Sequence, residues 1–236
     1  MNGELKRLNP NCILIAEDST NFKGTTRLTK EGGLGFDYKW DMGWMHDTLD
    51  FLHMDPYFRG PNYGRLSFSM MYFPNERYLL PLSHDEVVHG KGTIVQKMWG
   101  ELDQKLPQAR SLYLYIMTHP GKKLNLMGFE LAQLREWDER REQDWSLRGC
   151  PDHEAFWRFC EALNHTYLDQ PALWERDYDP EGFEWRDVTS NERVCFAFER
   201  KDSQGERLLT LLNLSGVTQE EWEVELPDTH NAWVML

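Results

Sequence analysis

The apolar pattern of these 236 residues changes period once, near residue 170, so the chain cannot be one uniform layer of helices or strands. Before that point, short apolar runs alternate with helix-like stretches. Residues 12–16 (CILIA) read as a strand buried on both faces, ending abruptly in Glu17-Asp18-Ser19-Thr20. Gly32-Gly33-Leu34-Gly35 precedes a second strand over 36–40, and 43–53 reads as a helix with Met45, Leu49 and Leu52 on one face. Residues 77–82 (RYLLPL) predict a third strand that ends in Ser83-His84-Asp85-Glu86. Over 105–118, Leu106, Ala109, Leu112, Tyr113, Ile116 and Met117 follow a helical period, and His119-Pro120-Gly121 stops it. A fourth strand is expected over 122–128. A last helix begins near Pro151, with Ala155, Phe156, Phe159, Cys160 and Leu163 on its buried face.

Beyond residue 170 a two-residue period takes over. Val194, Phe196 and Phe198 alternate, as do Leu208, Thr210 and Leu212, and Ser203-Gln204-Gly205-Glu206 between them predicts a hairpin turn. Glu221-Trp222-Glu223-Val224-Glu225-Leu226 alternates fully and predicts a half-exposed antiparallel strand. The expected organisation is an α/β part over 1–170 followed by a small β-domain over 171–236.

Composition narrows the function classes. A formal charge of −13 without any basic stripe disfavours binding to a phosphate backbone, so nucleic acid is not an expected partner. No apolar run approaches the ~20 residues that span a bilayer, and MNGELKRLNPNC lacks the apolar centre of a secretory signal. No membrane partner is expected, and the cytoplasm is the expected compartment. Cys12, Cys150, Cys160 and Cys195 show no C-x-x-C spacing, which leaves zinc and dithiol chemistry unsupported. Ten Trp, nine Tyr and twelve Phe are compatible both with stacking on sugar rings and with an aromatic core.

In a parallel sheet with outer helices, polar residues at the C-terminal strand ends are the prime functional candidates. Two strand ends deliver acids, Glu17 and Asp18 from the first, Asp85 and Glu86 from the third. Carboxyl groups converging from separate strands suit glycosidic bond cleavage, one protonating the leaving oxygen while the other stabilises or attacks the cation-like carbon. The plain alternative is that such acids cap the next helix or face water, as Asp18-Ser19-Thr20 could. Two other motifs fail on spacing. His84 and His89 are five apart, which on a helix puts them on different faces and denies them one metal. Gly90-Lys91-Gly92-Thr93 lacks both the first glycine and the hydroxyl residue of a phosphate loop.

Taken together, IAEDST (15–20) and LPLSHDEVVHGK (80–91) resemble the fifth- and seventh-strand motifs of glycoside hydrolase family 13, the α-amylase family. GGLGFDYKWDMGWMHDTLDF (32–51) resembles the sixth-strand region of its branching enzymes, and KKLNLMGFELAQLREW (122–137) with QDWSL (143–147) resembles the eighth. The resemblance implies strands five to eight of a TIM (β/α)8 barrel, followed by part of an all-β C-terminal domain of sandwich type. It implies a retaining transferase that cleaves α-1,4 and forms α-1,6 glucosidic linkages in glycogen synthesis, with glycogen or amylose as substrate and no cofactor or metal. Glu17 matches the general acid/base, Asp85 the transition-state-stabilising carboxylate, His84 a sugar-binding histidine, and Trp40 a residue of the glucan path. The family's nucleophilic aspartate belongs to a G-x-R-x-D motif, and no such motif occurs here. Isolated, the chain is therefore expected to be an inactive C-terminal fragment, prone to self-association or to pairing with an N-terminal half-barrel. M-G-N-E of the family is Met127-Gly128-Phe129-Glu130 here, and K-W-N is Lys39-Trp40-Asp41. An amylase-type hydrolase and a non-catalytic glucan-binding module are the competing readings.

Overall fold

The computed structural model of the chain describes residues 1–226 and 232–235. Its first sheet holds four parallel strands in unreversed order: β1 (Ile15–Ala16), β2 (Tyr38–Trp40), β3 (Tyr78–Leu82) and β4 (Lys122–Asn125). Around them run α1 (Asn2–Leu8), α2 (Met42–His53), α3 (Pro56–Arg59), α4 (Gly64–Ser67), α5 (Ile94–Lys97), α6 (Leu102–Thr118) and α7 (Pro151–Asp169). Crossovers of one hand in an order that never reverses put successive connections on one face of the sheet.

The helices follow from their sequences. The side chain of Asp41 caps α2 by accepting from the Trp44 N–H at 2.9 Å, and the helix buries Trp44, Met45, Leu49, Phe51 and Leu52. Helix α6 opens with a capping box between Glu101 and Gln104 and buries every residue of the predicted apolar face. All five residues of β3 are buried between these helices and the rest of the core.

The second sheet is antiparallel, in the order β5 (Phe183–Asp187), β6 (Cys195–Lys201) and β7 (Arg207–Asn213). It shares one apolar cluster with the first part. Phe196 and Phe198 of β6 and Leu212 of β7 join Leu80 and Leu82 of β3, Phe51 of α2 and Phe156 of α7. Phe196 lies flat on Tyr63, with centroids 4.0 Å apart and planes 6° from parallel. Arg200, wholly buried, donates to Thr118 O at 2.9 Å and pairs with buried Asp177 at 2.9 Å. Removing one member of such a pair leaves an uncompensated buried charge, at a cost of about 3–5 kcal/mol.

Several expectations are corrected. Of 12–16 only Ile15 and Ala16 pair as strand, and Ile13 is 67% exposed, because among the described residues β1 has a neighbour on one side alone. Strand β4 stops at Asn125 and leaves Met127 exposed. Ala155 faces solvent, whereas Phe156, Cys160 and Leu163 are buried as predicted. Residues 221–226 form no strand despite their alternating burial. Polar contacts anchor them instead: Trp222 Nε1 donates to Asp187, and Arg193 donates to Glu221 O. Alternation marks which side chains face inward, but a strand also needs a backbone partner. The predicted turn over 203–206 does join β6 to β7, closed by Asp202 N–H to Glu206 O at 3.1 Å. Part of the β-domain expected over 171–236, residues 227–231 and 236, lies outside the described residues.

Candidate active site

The C-terminal ends of β1, β2 and β3 carry, in that order, Glu17, Trp40 and the pair His84-Asp85. Ala16 is opposite Lys39 and Trp40 opposite Leu79, so Glu17 emerges level with Trp40. Parallel neighbours lie about 4.8 Å apart, which roots the Glu17 and Asp85 loops about 10 Å from each other across β2. Strand β3 runs on past Leu79 to Leu82, so Asp85 stands further along the strand direction. Both carboxylates are open to solvent. Glu17 is exposed and has no hydrogen-bond or ion-pair partner among the described residues.

The loop that presents Glu17 is held from below by a buried cation. Lys39, 4% exposed, projects from β2 to pair with Asp18 at 2.9 Å and to donate to Thr20 O at 2.7 Å. Asp18 also accepts from the backbone N–H of Thr20 at 3.0 Å and its hydroxyl at 3.0 Å. The Lys39 hydrogen bond, followed by the Thr20 N–H, holds the Asp18 carboxyl below its ordinary range. Asp18 thus neither caps a helix nor floats in water; it orders the turn beside Glu17.

The Asp85 loop is built differently. His84 Nε2 lies 3.1 Å from Asp85 Oδ1, and its other ring nitrogen meets Ser83 Oγ at 3.1 Å. The ring stands edge to face with Trp137, centroids 5.6 Å apart. Trp137 is anchored through its backbone N–H to Val87 O at 3.1 Å. Downstream, His89, Gly90 and Gly92 all take positive φ, and Glu136 ties the turn by accepting from Gly90 N and Gly92 N at 3.1 and 2.7 Å. Those two N–H groups keep the Glu136 carboxyl low. Lys91 closes the loop by donating to Asp85 O at 2.6 Å.

Beside Trp40 opens a cleft of about 310 Å3 lined by Asp18, Thr20, Lys39, Asp41 and Tyr72. Asp41 is 1% exposed; one oxygen accepts from Trp44 N and Tyr72 OH, and the other has no partner. Burial pushes its carboxyl up to about 6. Gly43 makes room for this contact, since a Cβ there would sit 2.6 Å from the Tyr72 hydroxyl. Among the described residues no three His, Cys, Asp or Glu converge to hold a metal ion, and no helix is long and apolar enough to cross a membrane.

The fold places all four predicted residues at one end of one sheet, and it joins only His84 to Asp85 directly. Sequence reasoning missed Lys39, Glu136 and Trp137 as supports. A lysine inside a short apolar strand was the available signal for the first. The other two lie in the 122–137 stretch, where only tertiary contact shows that the β4 loop braces the β3 loop.

No family model matches the chain. Sequence comparison finds 1,4-α-glucan branching enzymes. That of Leifsonia xyli subsp. xyli is 46% identical over 93% of this chain and 30% of its own length. Those of Pseudomonas syringae pv. syringae and Cereibacter sphaeroides are 43% and 42% identical over 96% and 97% of this chain. Over nearly its whole length, the chain is similar to one stretch of these branching enzymes. It spans about 30% of the length of these relatives. Among solved structures, the debranching enzyme of Nostoc punctiforme aligns with TM-scores of 0.62 and 0.63 over 90% of this chain and 43% of that one. At 14–16% identity that likeness concerns the fold alone: a mixed α/β region joined to an antiparallel sheet.

Proposed function

We propose that this chain supplies part of the catalytic apparatus of a cytoplasmic 1,4-α-glucan branching reaction, with Glu17 as general acid/base and Asp85 as the stabilising carboxylate. The observation that carries the reading is the presentation of Glu17, Trp40 and His84-Asp85 from three consecutive parallel strands at one sheet end. The four strands are read as strands five to eight of a (β/α)8 barrel over 1–170, with 171–236 belonging to a β-sandwich. Unreversed parallel order supports that reading, because right-handed crossovers then bring the connections to one face.

In the reaction, Glu17 protonates the leaving α-1,4 oxygen while the anomeric carbon passes to a carboxylate nucleophile about 5 Å away. Asp85, oriented by His84, binds the sugar hydroxyls and offsets the charge that develops on the ring. Glu17 then takes the proton from an acceptor 6-hydroxyl, whose oxygen bonds to the anomeric carbon as the carboxylate nucleophile leaves, which closes the α-1,6 linkage. The nucleophile comes from outside these 236 residues, so the chain pairs with strands that carry it through the edges of β1 and β4 that are unpaired among the described residues. Hydrolysis by water and non-catalytic binding are the weaker readings, because the curated relatives at 42–46% identity are branching enzymes.

The experiment is a chimera in which this chain replaces the matching segment of the Leifsonia enzyme. Amylose treated with it should lose iodine staining without releasing reducing ends. In the same chimera Glu17→Gln should lower turnover about 100- to 10,000-fold, the usual worth of a general acid/base. A folded chimera that is inactive before mutation, or that keeps its rate with Glu17→Gln, overturns the assignment. The unmodified 236-residue chain alone should leave amylose unchanged.

A further inference from the structure

At the opposite ends of the same strands lies a second cleft, of about 330 Å3, a volume suited to a small molecule. It sits where Arg77 leads into β3, away from Glu17 and Asp85 at the other end. Arg27, Arg77, Phe73, Tyr178 and Phe183 line it. The Arg77 guanidinium packs over two adjoining rings, 5.3 Å from the Tyr38 centroid and 5.2 Å from that of Tyr178, the two centroids themselves lying 6.2 Å apart. Tyr178 is itself fixed, its hydroxyl donating to Tyr78 O at 2.7 Å and its ring stacked parallel to Phe73 at 6.0 Å.

One hydrogen-bonded knot secures both arginines. Buried Glu76 accepts from the backbone N–H groups of Gly24, Thr25 and Thr26 at 2.6, 2.9 and 2.7 Å. The Thr26 hydroxyl in turn accepts from Arg77 N at 3.0 Å, and Arg27 follows directly in the chain. A Cβ on Gly33 would collide with the Arg27 carbonyl, so this loop packs tightly as well.

The acids that line the cleft are already engaged. Glu76 is held by the knot, Asp177 pairs with Lys122 and Arg200 at 2.8 and 2.9 Å, and Asp179 pairs with Arg176 at 2.6 Å. By contrast, the guanidinium groups of Arg27 and Arg77 form no hydrogen bond and no ion pair among the described residues. An arginine packed on aromatic rings, as Arg77 is, keeps its charge and its fork of N–H donors while losing little further freedom on binding. Two such charges match a phosphate monoester, which carries about −1.5 to −2 at pH 7, better than a single carboxylate. Asp37 also feels the Arg77 charge but is paired with Lys6 at 2.7 Å, and charges farther off are screened over about 8 Å at physiological salt.

We propose that this cleft binds a phosphate-bearing small molecule of hexose size, its phosphate on Arg27 and Arg77 and its ring against Phe73 and Tyr178. The cleft contains neither Glu17 nor Asp85, although it shares Asn75 and Glu76 with the cleft beside Trp40, and its test does not depend on glucan turnover. Calorimetric titration of the full 236-residue chain with glucose 6-phosphate, inorganic phosphate and glucose tests it. Glucose 6-phosphate should bind saturably and about tenfold tighter than either inorganic phosphate or glucose, because both parts of the site are then used. Arg77→Ala and Arg27→Gln should each weaken it at least about tenfold. Arg140→Ala, on a distant exposed loop, should not. Arg77→Lys keeps the charge without the fork and should fall between. Absence of saturation by about 10 mM, a Kd regime where affinity is negligible, overturns the proposal. So does inorganic phosphate binding as tightly as the sugar phosphate, or binding that survives Arg77→Ala and Arg27→Gln.

Discussion

In the antiparallel sheet every residue of β6 from Cys195 to Arg200 is buried; in the parallel sheet, β1 is two residues long and Ile15 is 42% exposed. Strand β6 is hydrogen-bonded on both sides by β5 and β7 and packed against Phe51 of α2, Tyr63 and Tyr115 of α6. Among the described residues, strand β1 has one neighbour, β2. The region proposed to do chemistry is thus the one with the thinner backbone support, and it compensates with side chains. Lys39 anchors the loop after β1, while Glu136 and Trp137 anchor the loop after β3. Burial holds one sheet; pinned polar contacts hold the working end of the other.

The sharpest way to break this contrast is in the antiparallel sheet. Phe196→Ala removes a ring packed on Tyr63 and Phe51 and should cost about 3–5 kcal/mol in urea unfolding. Because the apolar cluster is shared, circular dichroism of the helices and fluorescence near β6 should shift together. Separate transitions would mean that the two sheets unfold independently.

Next in size is the buried acid beneath Trp40. The Asp41 carboxyl sits at about 6 against an ordinary 3.8, so the folded chain keeps a proton that the unfolded chain has released. The stability this proton contributes is complete below about pH 4 and is lost as pH rises through about 6. The swing across that window is roughly 3 kcal/mol, since a tenfold change in proton affinity is worth about 1.4 kcal/mol. Asp41→Asn keeps the cap on α2 and should flatten that part of the profile. Equal pH dependence in both proteins would refute the buried-acid reading.

Lys39→Ala should cost about 2 kcal/mol, less than a fully buried pair because Asp18 stays partly solvated. Its more telling effect should be faster proteolysis between Ser19 and Lys23, measured beside the unfolding curve. The smallest change belongs to the open edge. Ile15→Ala should move stability by less than about 0.5 kcal/mol while the chain is alone. A loss comparable to Phe196→Ala would show that β1 is covered, in solution, by a second chain.

The long periodic stretches are legible in the sequence. Helix α6 buries the whole face that its spacing predicts, and the turn over 203–206 joins the strands it is expected to join. Residues 221–226 mislead, because alternation reports the inward face and says nothing about a strand partner. Ile13 misleads for the converse reason: an apolar run looks buried on both faces even where one neighbour is missing. Of the site, the acids at the strand ends can be read directly. The supports from Lys39, Glu136 and Trp137 cannot, since each acts on a loop from another strand.

What the sequence determined alone is local: which segments coil, which extend, and where acids fall at their ends. Those depend on residue spacing along one stretch of chain, through periods that any window of about a dozen residues contains. Only the tertiary structure decided which ends are neighbours, which cations are buried beneath them, and which arginines lack an ion pair among the described residues. These outcomes turn on pair distances of about 3–5 Å between residues remote in the chain, where desolvation and electrostatics vary most steeply.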